Sequence, residues 1–215
     1  FNGLLYGMFL FMLSSGLTLI FGMMGILNFA HASFFMIGAY LGYQIGVYAN
    51  FWTALIFAPI IVGYVGVLVE KYGLRNIHKY GHIAELLFTF GLFYIFEEIV
   101  QMIWGKTPVP YKVPEILNFP LIEISGMSYP AYSMFRLTLS VLIFIAIYRI
   151  LSKTKTGLII KASLTNPQMV SALGHNVPRV FSNVFGFGCA LAGLAGVMAG
   201  NVIGTEPSMA LLLGP

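Results

Sequence analysis

Asn28 and His31 stand three positions apart in the uncharged stretch Gly22-Met23-Met24-Gly25-Ile26-Leu27-Asn28-Phe29-Ala30-His31-Ala32-Ser33, and their chemistry is the least at home in its surroundings. A carboxamide and an imidazole can bind a polar solute, relay a proton or satisfy unpaired backbone groups. Both lie between apolar segments, at a depth where polar groups are costly unless they are buried in protein or line a wet cavity. The pattern predicts a broken or re-entrant membrane helix that shapes a translocation path. A lone imidazole bonded to a backbone carbonyl is the plainer alternative. No second His, Cys or carboxylate stands at ligand spacing from His31, so no metal is expected there.

Glu97 and Glu98 are the second candidates, because they fall inside another apolar segment, where a charge needs a partner, a proton or water. They read as lining an external vestibule of the path, or as one carboxylate reaching the interface while the other pairs with a base such as Arg136. Glu85 beside His82, and His78 and His175, fall on basic loops and read as solvated. Enzyme chemistry has little support. No Ser, His and carboxylate gather on one membrane face, and Gly105-Lys106-Thr107 lacks the earlier glycine of a phosphate-cradling loop, since residue 100 is Val. No cofactor is indicated.

The elements that must position these residues are membrane helices. With 59% hydrophobic and 8% charged residues the chain cannot cover itself with a solvated surface, and membrane lipid is the implied solvent. Six apolar segments approach the ~20 residues needed to cross a bilayer: about 4–23, 34–49, 52–69, 83–104, 135–151 and 181–203. The expected fold is therefore all-α, a polytopic membrane helix bundle of at least six spans in one domain over 1–215. Pro59 should kink the third span. The second is short, which fits a break over 25–33. The chain opens on Phe1 and stops at Pro215 just after an apolar run, so it reads as a fragment of a longer protein.

Basic residues near span ends stay cytoplasmic. Lys71, Arg75 and Lys79 mark one such loop, and Arg149, Lys153, Lys155, Lys161 and Arg179 another. The five-proline segment 105–134 between them reads as an ordered external loop. The positive balance thus orients the chain in a cell membrane, with no sign of nucleic acid. Cys189 is alone, so cysteine supplies neither a disulfide nor a metal site. Gly38, Gly42 and Gly46, and Gly188, Ala192, Gly196, Gly200 and Gly204, form small-residue ladders that let helices approach closely.

A cytoplasmic loop over 152–180 carries the signal for a partner. Asn166 caps a helix with Pro167 at its first position and Gly174 as its stop, about two turns that project Met169, Val170 and Leu173. A helix so short does not persist alone in water, so it docks either on its own membrane helices or on a cytosolic subunit.

These residues also carry a resemblance. Gly25-Ile26-Leu27-Asn28-Phe29-Ala30-His31 with Ile37-Gly38-Ala39-Tyr40 resembles the opening signature of permease subunits of bacterial ABC importers for branched-chain amino acids. Thr156-Gly157, Lys161-Ala162, Asn166-Pro167-Gln168-Met169, Ala172-Leu173-Gly174-His175-Asn176 and Gly193-Leu194-Ala195-Gly196 resemble that family's coupling loop and following helix. Ala32, His175 and Leu158 depart from the usual pattern. The resemblance implies a permease working with cytosolic ATP-binding subunits, a second, homologous permease subunit and an external substrate-binding protein in a bacterial inner or plasma membrane. It also implies that 166–174 couples to the ATP-binding subunits, and that the cargo is a branched-chain amino acid or a small amide. A secondary transporter or channel for a small polar solute is the alternative, since it too would show a broken helix, without needing a docking helix.

Overall fold

The computed structural model describes residues 2–25, 27–124 and 127–213. Helix α1 (Asn2–Met24) runs into the break, α2 (His31–Tyr48) follows and α3 (Phe51–Val69) returns. Asn50 starts α3 with a reciprocal cap. Its side chain accepts from the Thr53 N–H at 2.9 Å, and Thr53 Oγ1 accepts from the Asn50 N–H at 3.3 Å. The helix is assigned without interruption through Pro59. A π-helical turn (Glu70–Leu74), a short α4 (Arg75–Ile77) and a 3₁₀ turn (His78–Tyr80) prolong it to Gly81, whose φ of 92° turns the chain into α5 (His82–Trp104).

The expected external loop is ordered. A 3₁₀ turn (Glu115–Leu117) leads into an antiparallel hairpin of β1 (Pro120–Ile124) and β2 (Met127–Pro130). Then come α6 (Ala131–Lys153), α7 (Lys155–Thr165), α8 (Pro167–Ala172), α9 (Val177–Ile203) and α10 (Met209–Leu213). The polytopic all-α bundle is as expected. Among the described residues five helices, α1, α3, α5, α6 and α9, are long and apolar enough to cross a membrane. The sixth expected span, α2, is helical but not one of the five. It carries His31, Ser33, Tyr40 and Gln44 and is enclosed by α9, α3 and α5, so it need not meet lipid.

The core is built around α9, which packs on α1, α2 and α3. The glycines permit this: a Cβ on Gly38 would overlap the Gly193 backbone, one on Gly196 the Phe35 carbonyl, and one on Gly188 the Ile20 side chain. The ladders therefore act in packing within the chain, apart from Gly46, around which space is open, and Gly204, which ends α9 at φ 94°.

Both basic segments lie at one end of the bundle, where Arg75 reaches Pro178. At the other end the 105–130 loop is pinned by an antiparallel bridge between Val109 and Thr205, just past the end of α9, and by Tyr111, whose hydroxyl donates to the Val197 carbonyl of α9 at 2.9 Å. Burial pushes the Tyr111 hydroxyl well above its ordinary pKa, so it stays a donor. By the positive-inside bias, the first end is cytoplasmic.

Candidate functional site

Residues 25–30 interrupt the helical run, with Gly25 at φ 66°; Ile26 lies outside the described residues. Asn28 holds the turn: its Oδ1 accepts from the Ala30 N–H at 3.1 Å, and its own carbonyl accepts from the His31 N–H at 3.0 Å. His31, the first residue of α2, donates from Nε2 to the Leu13 carbonyl of α1 at 3.0 Å, and its ring edge lies against Gly16. Both side chains are 4% exposed.

The depth follows from these contacts. α1 continues past Gly16 to Met24, roughly two turns or about 12 Å further toward the cytoplasmic end. α2 thus starts recessed inside the bundle, and the non-helical segment climbs back to it, covered by α5 through a Phe29 N–H to Thr89 Oγ1 bond at 3.4 Å and an edge-to-face Phe29–Phe90 contact. Irregular backbone is tolerated at Asn28–Ala30 because protein encloses it there, while Gly25 and Leu27 remain exposed. Asn28 Nδ2 and His31 Nδ1 have no hydrogen-bond partner among the described residues.

Two cavities of about 500 and 410 Å³ run along the opposite side of α1, between it and α6, and share Phe11 and Phe144. Ser14, Ser15, Thr18 and Lys161 line the larger. Asn28 and His31 line neither. They fix the position of the helix that forms the wall.

Glu97 is half-buried on α5 and accepts from Gln101 Nε2 at 3.2 Å, while Glu98 faces outward. Arg136 pairs with neither; its guanidinium lies over the Tyr132 ring, 5.4 Å from the centroid. The structure thus brings Asn28 and His31 together and leaves Glu97 and Glu98 nearer the other end of the bundle.

Residues 154–174 form a helical pair, of which the sequence pattern revealed only the second member. Thr154 caps α7 by accepting from the Gly157 N–H at 3.1 Å, and Asn166 caps α8 by accepting from the Met169 N–H at 3.0 Å. Pro167 occupies the first helical position and Gly174 has φ 87°, as the stop requires. Met169 and Leu173 are exposed, but Val170 is 4% exposed and turned inward, so the outward apolar patch is narrower than the spacing suggests.

Two buried carboxylates escaped the sequence reading. Glu85, expected to be solvated, is 1% exposed. Its carboxylate meets Nδ1 of His78 and, at 3.1 Å, Nδ1 of His82, whose own rings remain mostly exposed, as expected of them. Part of the signal was available, since His82 and Glu85 stand three positions apart in the first turn of α5, but His78 reaches Glu85 across the turn at Gly81. Glu70 is 2% exposed and takes a bidentate bond from Arg75 at 2.8 and 3.3 Å plus the Ser182 hydroxyl of α9. Its partners lie five and 112 positions away, outside the i,i+3 and i,i+4 pattern. Among the described residues no His, Cys or acidic cluster could hold a metal ion.

A family model described as "branched-chain amino acid transport system / permease component" matches residues 1–214. The high-affinity branched-chain amino acid transport system permease protein LivH of Salmonella typhimurium is 25% identical over all of this chain and 74% of its own length. BraD of Pseudomonas aeruginosa is 24% identical over 99% of the chain and 74% of its own length. A probable LivH of Methanocaldococcus jannaschii is 27% identical over 91% of the chain and 63% of its own length. No solved structure matches. The chain is a multi-pass membrane protein, a transport component and not an enzyme, and it belongs to the family of branched-chain amino acid transport system permease components.

Proposed function

We propose that the chain is the membrane subunit of an ATP-driven importer that moves branched-chain amino acids across the cell membrane, together with cytosolic ATP-binding subunits, a second, homologous permease subunit and an external substrate-binding protein. The observation that carries this is α8, in a chain of this family that has no nucleotide loop of its own. It is a capped helix presenting Met169 and Leu173 outward at the end where the basic loops gather. Exposed apolar side chains on so short a helix gain their burial from a partner surface.

In this reading Asn28 and His31 shape the path by locking α1 against the recessed start of α2, and the α1–α6 cavities are part of its wall. Glu97 and Glu98 tune a hydrated external vestibule and couple no proton. Asn166, Pro167 and Gly174 set the docking helix, Met169 and Leu173 bury into the ATP-binding subunit, and Val170 anchors the helix from behind.

The test is uptake of labelled leucine by vesicles holding the complete importer. Uptake should require internal ATP and the binding protein, and should persist when a protonophore collapses the proton gradient at constant ATP. Uptake that follows the proton gradient and ignores ATP would favour the secondary-transporter reading.

A further inference from the structure

Residues 70–81 prolong α3 and connect it to α5 at the end where the basic loops gather, and this crossbar is fastened on each side by a buried carboxylate. On the α9 side Arg75 holds Glu70, and the same Nη2 that lies 2.8 Å from Glu70 Oε2 reaches the Pro178 carbonyl at 2.9 Å and the Ser182 hydroxyl, both in the opening turns of α9. On the α5 side Glu85, in the first turn of α5, is held by His78 and His82 from the crossbar itself and the helix start.

The two neighbours of the crossbar differ in attachment. α5 is mostly outward-facing and, apart from the crossbar, packs mainly on α2. The start of α9 is joined to α8 by residues 173–176, and this linker is stiff: Leu173, Gly174 and His175 donate their N–H groups back to Met169, Ser171 and Val170, and Asn176 caps α9 through the Arg179 N–H at 3.1 Å. A displacement of α8 therefore carries the first turn of α9 with it. Arg75, bonded to that turn, passes the displacement to the crossbar. Glu70 itself begins a π-helical turn, a local geometry frequent at functional sites.

We propose that Arg75 is a positioning residue for transport, the joint through which movement of the docking helix α8 reaches α5. The proposal rests on the docking role given to α8 above.

Its test is the coupling ratio. The complete importer is reconstituted with parent or variant permease, and ATP hydrolysed and labelled leucine taken up are measured in the same vesicles. Arg75→Ala would strand Glu70 without a counter-charge, so the double variant Glu70→Gln/Arg75→Gln carries the test, with Arg75→Lys as the conservative variant. The expected result is copurification of the ATP-binding subunits at parental yield, continued ATP hydrolysis, a fall of at least tenfold in leucine per ATP for the double variant and a smaller fall for Arg75→Lys. A parental ratio in the double variant overturns the proposal. An independent reading needs no change at the joint. Spin labels at Ile95→Cys on α5 and Phe187→Cys on α9 should change separation when the parental importer is trapped with nucleotide, and a constant separation overturns the proposal. Failure of the parental permease to hold the ATP-binding subunits at all would instead sink the docking reading.

Discussion

α9 and α6 are both long and apolar enough to cross a membrane, yet 67% of the apolar window of α9 is buried inside the chain against 11% for α6. The difference lies in side-chain size. α9 carries a small residue at every fourth position and lets three helices approach its backbone, whereas α6 carries Leu142, Phe144, Ile145 and Tyr148 and presents them outward. In lipid, bulk apolarity does not drive helices together, because the tails are as apolar as the side chains, so close backbone approach decides which helix becomes the centre. α9 is the frame, and α5 and α6 are what the frame leaves outward-facing, free to meet lipid or a partner.

The strongest challenge to that contrast is a matched pair of substitutions. Gly196→Val places a side chain on the Phe35 carbonyl and should destabilise the bundle by about 3 kcal/mol or more, whereas Ala146→Val on the exposed face of α6 should stay within ~0.5 kcal/mol. Thermal unfolding in detergent, followed by loss of the monodisperse peak, checks both. Equal effects would erase the distinction.

Next in size is the docking helix, where the same contrast holds between two faces of one turn. Met169→Asp with Leu173→Asp should leave insertion and thermal stability intact while removing two side chains worth ~1.5–3 kcal/mol each from the interface. The ATP-binding subunit should then bind at least ~100-fold more weakly in a pull-down titration. Val170→Asp should act the other way, loosening α8 from the membrane subunit itself. Retention of the ATP-binding subunit at parental yield in the double variant would show that coupling runs through another surface.

A smaller effect is expected at the break. His31→Leu removes one buried hydrogen bond to the Leu13 carbonyl, a loss of ~1 kcal/mol in stability. Uptake should fall more than stability does, because the start of α2 loses its tie to α1. Asn28→Leu should act in the same direction, and uptake at parental rate with normal expression in both variants would leave these residues with a packing role alone. The smallest effect belongs to α5: Glu97→Gln can keep a bond to Gln101, so leucine uptake should stay within about threefold and remain indifferent to a protonophore.

What was legible in the sequence is what repeats at a fixed period or ends on a stereotyped residue. The apolar segments, the ladders, the Asn166–Pro167 cap and the Gly174 stop are of that kind, and the helices begin and end close to where those signals stand. α7 escaped because Lys155, Thr156 and Gly157 begin it without an apolar face long enough to register, and its cap is a threonine bonded to a glycine N–H. Glu70 escaped because a pair five residues apart makes sense only once a π-helical turn brings it together, and Ser182 comes from a distant part of the chain. The break was visible as composition but not its recess, since depth depends on how far α1 runs past it. Glu97 and Glu98 drew notice as charges in an apolar run, yet among the described residues the carboxylates buried most completely are Glu70 and Glu85, beside the basic loops.

The π-helical turn at Glu70–Leu74 also governs how the crossbar is aimed. It holds one more residue than a regular turn, so it absorbs a single surplus position while the helical phase continues through it. Removing one residue from that turn would leave a regular turn, whereas removing one from the regular turn after it, at Asn76, would shorten the chain by only about 1.5 Å but would rotate the segment that follows by about 100° around its axis. His78 would then point away from Glu85 while Arg75 kept its place on α9. A single-codon deletion in that regular turn acts as a change of angle, whereas the same deletion in the loop at 105–114 acts on spacing, shifting the Val109–Thr205 and Tyr111–Val197 contacts against each other.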